Sequence, residues 1–334
     1  MRRRSQWSLL VATVLAVAAC ATPQPEPATR MRAAVVVAGA HNDTSTPFNL
    51  VSVPGLIEHE YDGRGLRVGE LVADELASRR YRVTYRSGTL QISGQLSVPR
   101  REGRFPLVVL AHGYEDPATY VSGHALSREQ SYLASRGYVV LLPDYRNHGD
   151  SDRDGSDPVA DPLGYPEDLV NAVLAVRRAD LPYVDASRVG VVGRSMGGGV
   201  AMNALVARPG LVDAVALYAP VSSSAVDNFQ RWAAARDDLA TRVEVTYGTP
   251  EESPEFWREA SARTYFDRAD VPIQVHHGTA DPVCPVEWSR STVAALREAG
   301  QTVEYYEYPG EDHRFDQGWP LMMQRLSAFL DANV

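Results

Sequence analysis

The chain has 334 residues, 44% of them hydrophobic and 22% charged, a composition that suits one large α/β domain with additions. Its formal net charge of -9 argues against nucleic acid as a partner, because no basic face is left to neutralise phosphates.

In chain order, Met1 to Cys20 has a basic start at Arg2, Arg3 and Arg4, then a mostly apolar stretch from Trp7 to Ala19. This is the layout of an export signal, and it is shorter than the ~20 apolar residues of a spanning helix. Its end, Val17-Ala18-Ala19-Cys20, resembles the bacterial lipobox, in which the cysteine thiol is lipidated and the chain is cut just before it. That resemblance implies a lipoprotein signal peptide over 1–20 and a membrane tether through Cys20. It also implies a place in the bacterial cell envelope, at the outer membrane of a Gram-negative cell since Ala21 stands where Asp would retain the protein. An ordinary signal peptide with an incidental cysteine is the plainer alternative. Once Cys20 is lipidated only Cys284 remains, so no intramolecular disulfide is expected.

Residues 21–32 carry Pro23, Pro25 and Pro27 at alternate positions and read as an extended tether. An N-terminal extension is expected over 33–80, with Gly65 to Ala77 forming a strand that leads into a short helix. The main domain is expected over 81–334. Tyr81 to Val98 alternates apolar and polar residues around Ser87-Gly88 and predicts a hairpin. Thereafter Leu107 to Ala111, Tyr138 to Pro143, Val189 to Gly193, Ala214 to Ala219, Ile273 to His277 and Val303 to Tyr308 read as strands. Helices are predicted near Ser127 to Ser135, Pro166 to Arg178, Met196 to Ala207, Glu287 to Glu298 and Pro320 to Leu330. Strands separated by crossover helices imply an α/β fold with a mainly parallel central sheet flanked by helices. The connection from Val221 to Asp270 is longer than one crossover needs. It reads as a small helical cap, about 221–270, between the sixth and seventh strands.

Acyl transfer by a serine needs a base beside the hydroxyl, a group to orient that base, and donors for the oxyanion. Ser195 in Gly193-Arg194-Ser195-Met196-Gly197 follows a predicted strand and opens a predicted helix, where flanking glycines permit the tight turn that presents a nucleophile. A phosphate-binding turn would want Lys and Ser/Thr after the glycines, and Val200-Ala201 stand there instead. Asp281 and His313 follow later strand ends, those of Ile273 to His277 and Val303 to Tyr308, in the order acid then base. Taken singly, each reads equally well as a loop residue. Taken together, in that order and at those strand ends, they read as the acid and base of Ser195. Asp312 and Glu311 are rival acids, but loop neighbours of a histidine seldom aim at it. His112-Gly113-Tyr114 follows the strand that should supply the second oxyanion donor, so the main-chain N–H groups of Met196 and Tyr114 are the candidates. His112 itself reads as a packed loop residue.

With these segments the chain resembles the catalytic domain of the prolyl oligopeptidase family, over about residues 80 to 332. The resemblance rests on His112-Gly113-Tyr114, Pro143 to Gly149, Asp185 to Gly198, His277 to Asp281 and Pro309 to His313. It implies an α/β-hydrolase fold, with Ser195 as nucleophile, Asp281 as acid and His313 as base. It further implies cleavage of a small peptide or ester substrate through an acyl-enzyme. The β-propeller that usually precedes that domain has no counterpart in the roughly fifty residues before it, which makes a carboxylesterase the alternative. A non-catalytic binding protein on the same fold is the remote one, disfavoured by the complete set of three.

No cofactor is expected. Asp150-x-Asp152-x-Asp154-Gly155 with Asp161 has the spacing of a calcium loop, yet flanking helices are not predicted and Asp161 stands where Glu is usual. A solvated acidic loop is the expected state, and no metal is assigned there or at His276-His277.

Overall fold

The structure is a computed structural model that describes residues 52–155 and 163–334. The leader with Cys20, the proline-rich segment and Asp161 lie outside the described residues.

Among the described residues, the β-branched and aromatic runs assemble into one nine-stranded sheet. An antiparallel leading part comprises β1 (Arg64–Asp74), β2 (Ser78–Ser87) and β3 (Leu90–Pro99). The parallel part comprises β4 (Phe105–Ala111), β5 (Val139–Pro143), β6 (Val184–Arg194), β7 (Ala214–Tyr218), β8 (Ile273–Gly278) and β9 (Val303–Tyr308). Their order is β1-β2-β3-β5-β4-β6-β7-β8-β9, antiparallel as far as β5 and parallel beyond it.

Alternate residues of one strand serve opposite faces, as the period of two requires. Leu107 and Val109 pack with α3 (Gly164–Ala179) and α4 (Met196–Ala207), through residues such as Val173 and Leu205. Val108 and Leu110 pack on the other face with α2 (Ser127–Arg136) and α9 (Trp319–Asn333), through Leu133, Leu326 and Leu330. A short α1 (Val53–Glu58) precedes the sheet, and α8 (Val286–Glu298) adds Val293 and Leu296 to the α3/α4 face. With both faces covered, β5, β7 and β8 are buried along their whole length.

Two expectations need correction. No helix follows the strand read over Gly65 to Ala77: the Glu75 N–H donates to Ser78 O at 3.0 Å, and the chain turns straight into β2. Since β1 thereby joins the sheet ahead of the hairpin, the cap lies between the seventh and eighth strands, not the sixth and seventh. It contains α5 (Ala225–Trp232), α6 (Asp237–Tyr247), α7 (Pro254–Glu259) and a 3₁₀ segment (Ala262–Arg268). Phe229, Leu239, Val243 and Trp257 form a small core of its own, with the Trp257 Nε1–H donating to Gly248 O at 3.1 Å.

Among the described residues no helix is long and apolar enough to cross a membrane, and no group of three or more metal-ligating side chains is present. Asp150 pairs with Arg82, Asp152 accepts the Gln91 N–H at 2.7 Å, and Asp154 lies 3.1 Å from Arg146, so these acids serve internal contacts.

Candidate active site

Ser195 sits between β6 and α4 with φ 54° and ψ -123°, a backbone state an L-residue adopts at a cost of about 1–3 kcal/mol. Its surroundings hold it there. The Ser195 N–H donates to Tyr218 O at 3.2 Å, and its carbonyl accepts from Gly198 and Val221 at 2.9 and 3.1 Å. Close approach explains one of the glycines: a Cβ on Gly197 would stand 1.9 Å from the Ala111 carbonyl oxygen, so only glycine lets α4 begin against the end of β4.

The loop after β8 carries Asp281, whose Oδ1 accepts the Val283 and Cys284 N–H groups at 2.8 and 2.9 Å. Its Oδ2 lies 2.7 Å from Nδ1 of His313, on the loop after β9. Burial alone would raise the Asp281 carboxyl. Hydrogen bonds from His277 and His313 and the Cys284 amide overcome that and hold it well below the usual carboxylate range. The rival acids turn to their own loop: Asp312 Oδ1 accepts the Arg314 and Phe315 N–H groups, and Glu311 Oε2 accepts that of Gln317.

Ser195, His313, Met196, Gly113 and Tyr114 line one cavity of about 1070 Å³, whose far wall includes Phe229, Trp232 and Trp257 of the cap. Among the described residues no hydrogen bond joins Ser195 to His313, a contact that commonly tightens only when substrate arrives. Met196 is the first residue of α4, so its N–H has no acceptor within the helix. Gly113 passes close to Ser195, since a Cβ there would lie 3.2 Å from Ser195 Cβ, and this brings Tyr114 to the same cavity.

His112 is fully buried, its ring nitrogens 2.7 Å from Gly113 O and 3.2 Å from Asp144 O, and burial lowers its pKa to about 4. His276 is likewise engaged, with Tyr308 and Gln274 at 2.8 and 2.7 Å. His277 has a role that sequence reading missed. Its Nε2 stands 3.3 Å from Asp281 Oδ2 and 2.9 Å from Cys284 O, while Nδ1 meets Ser289 Oγ at 2.6 Å. The available signal was its spacing of four from Asp281 at the strand end. Cys284 is buried behind the site. Burial first, then the charge of Asp281, push its thiol up to about 12, so it stays protonated and does not compete as a nucleophile.

This sheet order, with Asp281, His313 and the strained Ser195 all at carboxyl ends of parallel strands, is that of the α/β-hydrolases. One solved example is the acetyl xylan esterase from Paenibacillus sp. R4, which superposes with a TM-score of 0.64 at 20% identity, over 84% of this chain and 92% of that one. The model of the prolyl oligopeptidase family (Peptidase_S9) matches residues 124–333, and the chain belongs to that family. Among curated relatives, an uncharacterized peptidase of Bacillus subtilis, YuxL, is 23% identical over 235 residues, covering 68% of this chain and 34% of the relative. The acylamino-acid-releasing enzyme of Arabidopsis thaliana is 26% identical over 217 residues, covering 64% and 28%. The chain thus spans about a third or less of the length of these relatives.

Proposed function

We propose that this protein is a serine hydrolase that cleaves a peptide or ester bond through an acyl-enzyme. The carrying observation is the 2.7 Å contact between His313 Nδ1 and Asp281 Oδ2, at strand ends that face the cavity of the strained Ser195. Ser195 Oγ attacks the substrate carbonyl as His313 Nε2 takes its proton. The Met196 and Tyr114 main-chain N–H groups hold the oxyanion, and the proton passes to the leaving amine or alcohol as the scissile bond breaks. Water then enters: His313 takes its proton, the oxygen adds to the acyl carbon, and the acid leaves as the proton returns to Ser195. Asp281 keeps the ring in the required tautomer throughout.

Ser195→Ala should abolish both p-nitrophenyl ester hydrolysis and labelling by a fluorophosphonate, and undiminished labelling would sink the assignment. A carboxylesterase is the second reading. It draws support from the likeness in fold to an acetyl xylan esterase. Side-by-side assay of short acyl esters and blocked peptides separates the two. The leader ending at Cys20 supports export to the bacterial envelope and a lipid anchor at that thiol.

A further inference from the structure

Arg194, the last residue of β6, lines the cavity directly beside the nucleophile. Its Nε is shut off from solvent with no hydrogen-bond partner, and among the described residues its guanidinium forms no ion pair. Glu129 and Asp312 share the cavity lining with Arg194, and neither forms an ion pair with it. Glu129, whose charge opposes that of Arg194 at Tyr218, accepts the Trp319 Nε1–H at 2.7 Å through Oε1 and lies 3.3 Å from Arg128. Asp312 is held by the amides of its own loop. A guanidinium stays charged wherever the protein folds, and partial burial without a counter-ion is unfavourable. Such a group in a substrate cavity is completed by an anion, for which its planar fork matches a carboxylate.

We infer that Arg194 is the specificity-determining residue of this cavity and that the substrate presents a carboxylate to it. The aromatic cap wall provides for an apolar portion of the same molecule. The inference rests on the hydrolase reading for the word substrate, but its test reads binding and not turnover.

In Ser195→Ala protein, N-benzyloxycarbonyl-phenylalanine and its C-terminal amide are titrated by calorimetry. The acid is expected to bind about ten- to a hundredfold tighter than the amide. That ratio should hold from pH 6 to 9 and fall as the ligand carboxylate is protonated below about pH 4. Adding Arg194→Gln should bring the ratio to within about twofold of one, and Arg194→Lys should restore part of it. A thermal melt checks the fold, and Arg194→Met carries the comparison if the Gln variant unfolds. Equal affinity for acid and amide, no binding of either, or a ratio that survives loss of the positive charge at this position overturns the inference. Residual hydrolysis by Ser195→Ala would instead overturn the catalytic reading and leave this ratio measurable.

Discussion

The floor of the cavity and its cap are built on different principles. On the floor, Ser195, Asp281 and His313 hang from the ends of β6, β8 and β9, and Asp281 and His277 are tied to buried backbone. The helices α5 to α7 of the cap have only a handful of buried side chains, chiefly Phe229, Leu239, Val243 and Trp257, and leave Val245 81% exposed. Positioning of the proposed catalytic groups is therefore coupled to the whole sheet, whereas the aromatic wall of the cap rests on its own small cluster. The difference teaches that chemistry and specificity are separable here, as expected where a rigid scaffold presents a variable insertion.

The sharpest way to break that contrast is on the floor. Asp281→Asn should lower kcat by about 10⁴-fold while KM changes little, because the ring of His313 loses the acceptor that sets its tautomer. Steady-state kinetics on a p-nitrophenyl ester decide it, and a loss below tenfold would mean another group orients His313. On the cap, Trp257→Ala removes an indole that packs 4.8 Å from the Phe229 ring and donates to Gly248 O. A buried aromatic truncation costs about 3–5 kcal/mol, and here the loss should stay local. Limited proteolysis should open residues 225–259, while hydrolysis of an acetyl ester stays within about threefold and bulkier acyl esters lose more. Collapse of the global melt together with acetyl-ester activity would show cap and floor to be one cooperative unit.

A smaller effect separates the two regions by pH. Burial lowers the pKa of His112 to about 4 and that of His276 to about 3, so both are neutral in the folded floor at neutral pH. In the unfolded chain they take up protons near pH 6.5. Between those values the unfolded state binds more protons, so stability is full above about pH 6.5 and declines as pH falls toward 4. Urea midpoints across that range should decrease, and His276→Gln should flatten the slope. An unchanged slope would mean that other groups set the acid limit.

What could be read in the sequence follows the same division. The parallel strands and their helices were legible to within a few residues because both-face burial demands unbroken runs such as Val139-Val140-Leu141-Leu142. The positions of Ser195, Asp281 and His313 were legible because turns at strand ends have strict chemistry. Edge strand β1 was only half legible: it is exposed at most positions, with Val68, Leu71 and Val72 facing solvent, so no alternation marks where it stops. His277 offered only its spacing of four from Asp281, while its contacts with Cys284 O and Ser289 Oγ depend on how the loop and α8 pack. The acids at 150, 152 and 154 had metal-like spacing, but their partners Arg82, the Gln91 amide and Arg146 come from elsewhere in the chain.

The smallest expected effect concerns a residue outside the described region. If Cys20 carries only a tether, Cys20→Ser should leave kcat/KM of the purified protein within twofold of the parent, since no step at Ser195, Asp281 or His313 requires it. A single acyl chain holds a protein to a membrane only marginally, so stable partitioning needs the multiple acylation of a lipoprotein, all of it lost with this thiol. Fractionation of cells expressing the variant should therefore move the activity from membrane to soluble or unprocessed material. Unchanged partitioning with unchanged kinetics would reduce the leader to an ordinary export signal and leave the hydrolase untethered.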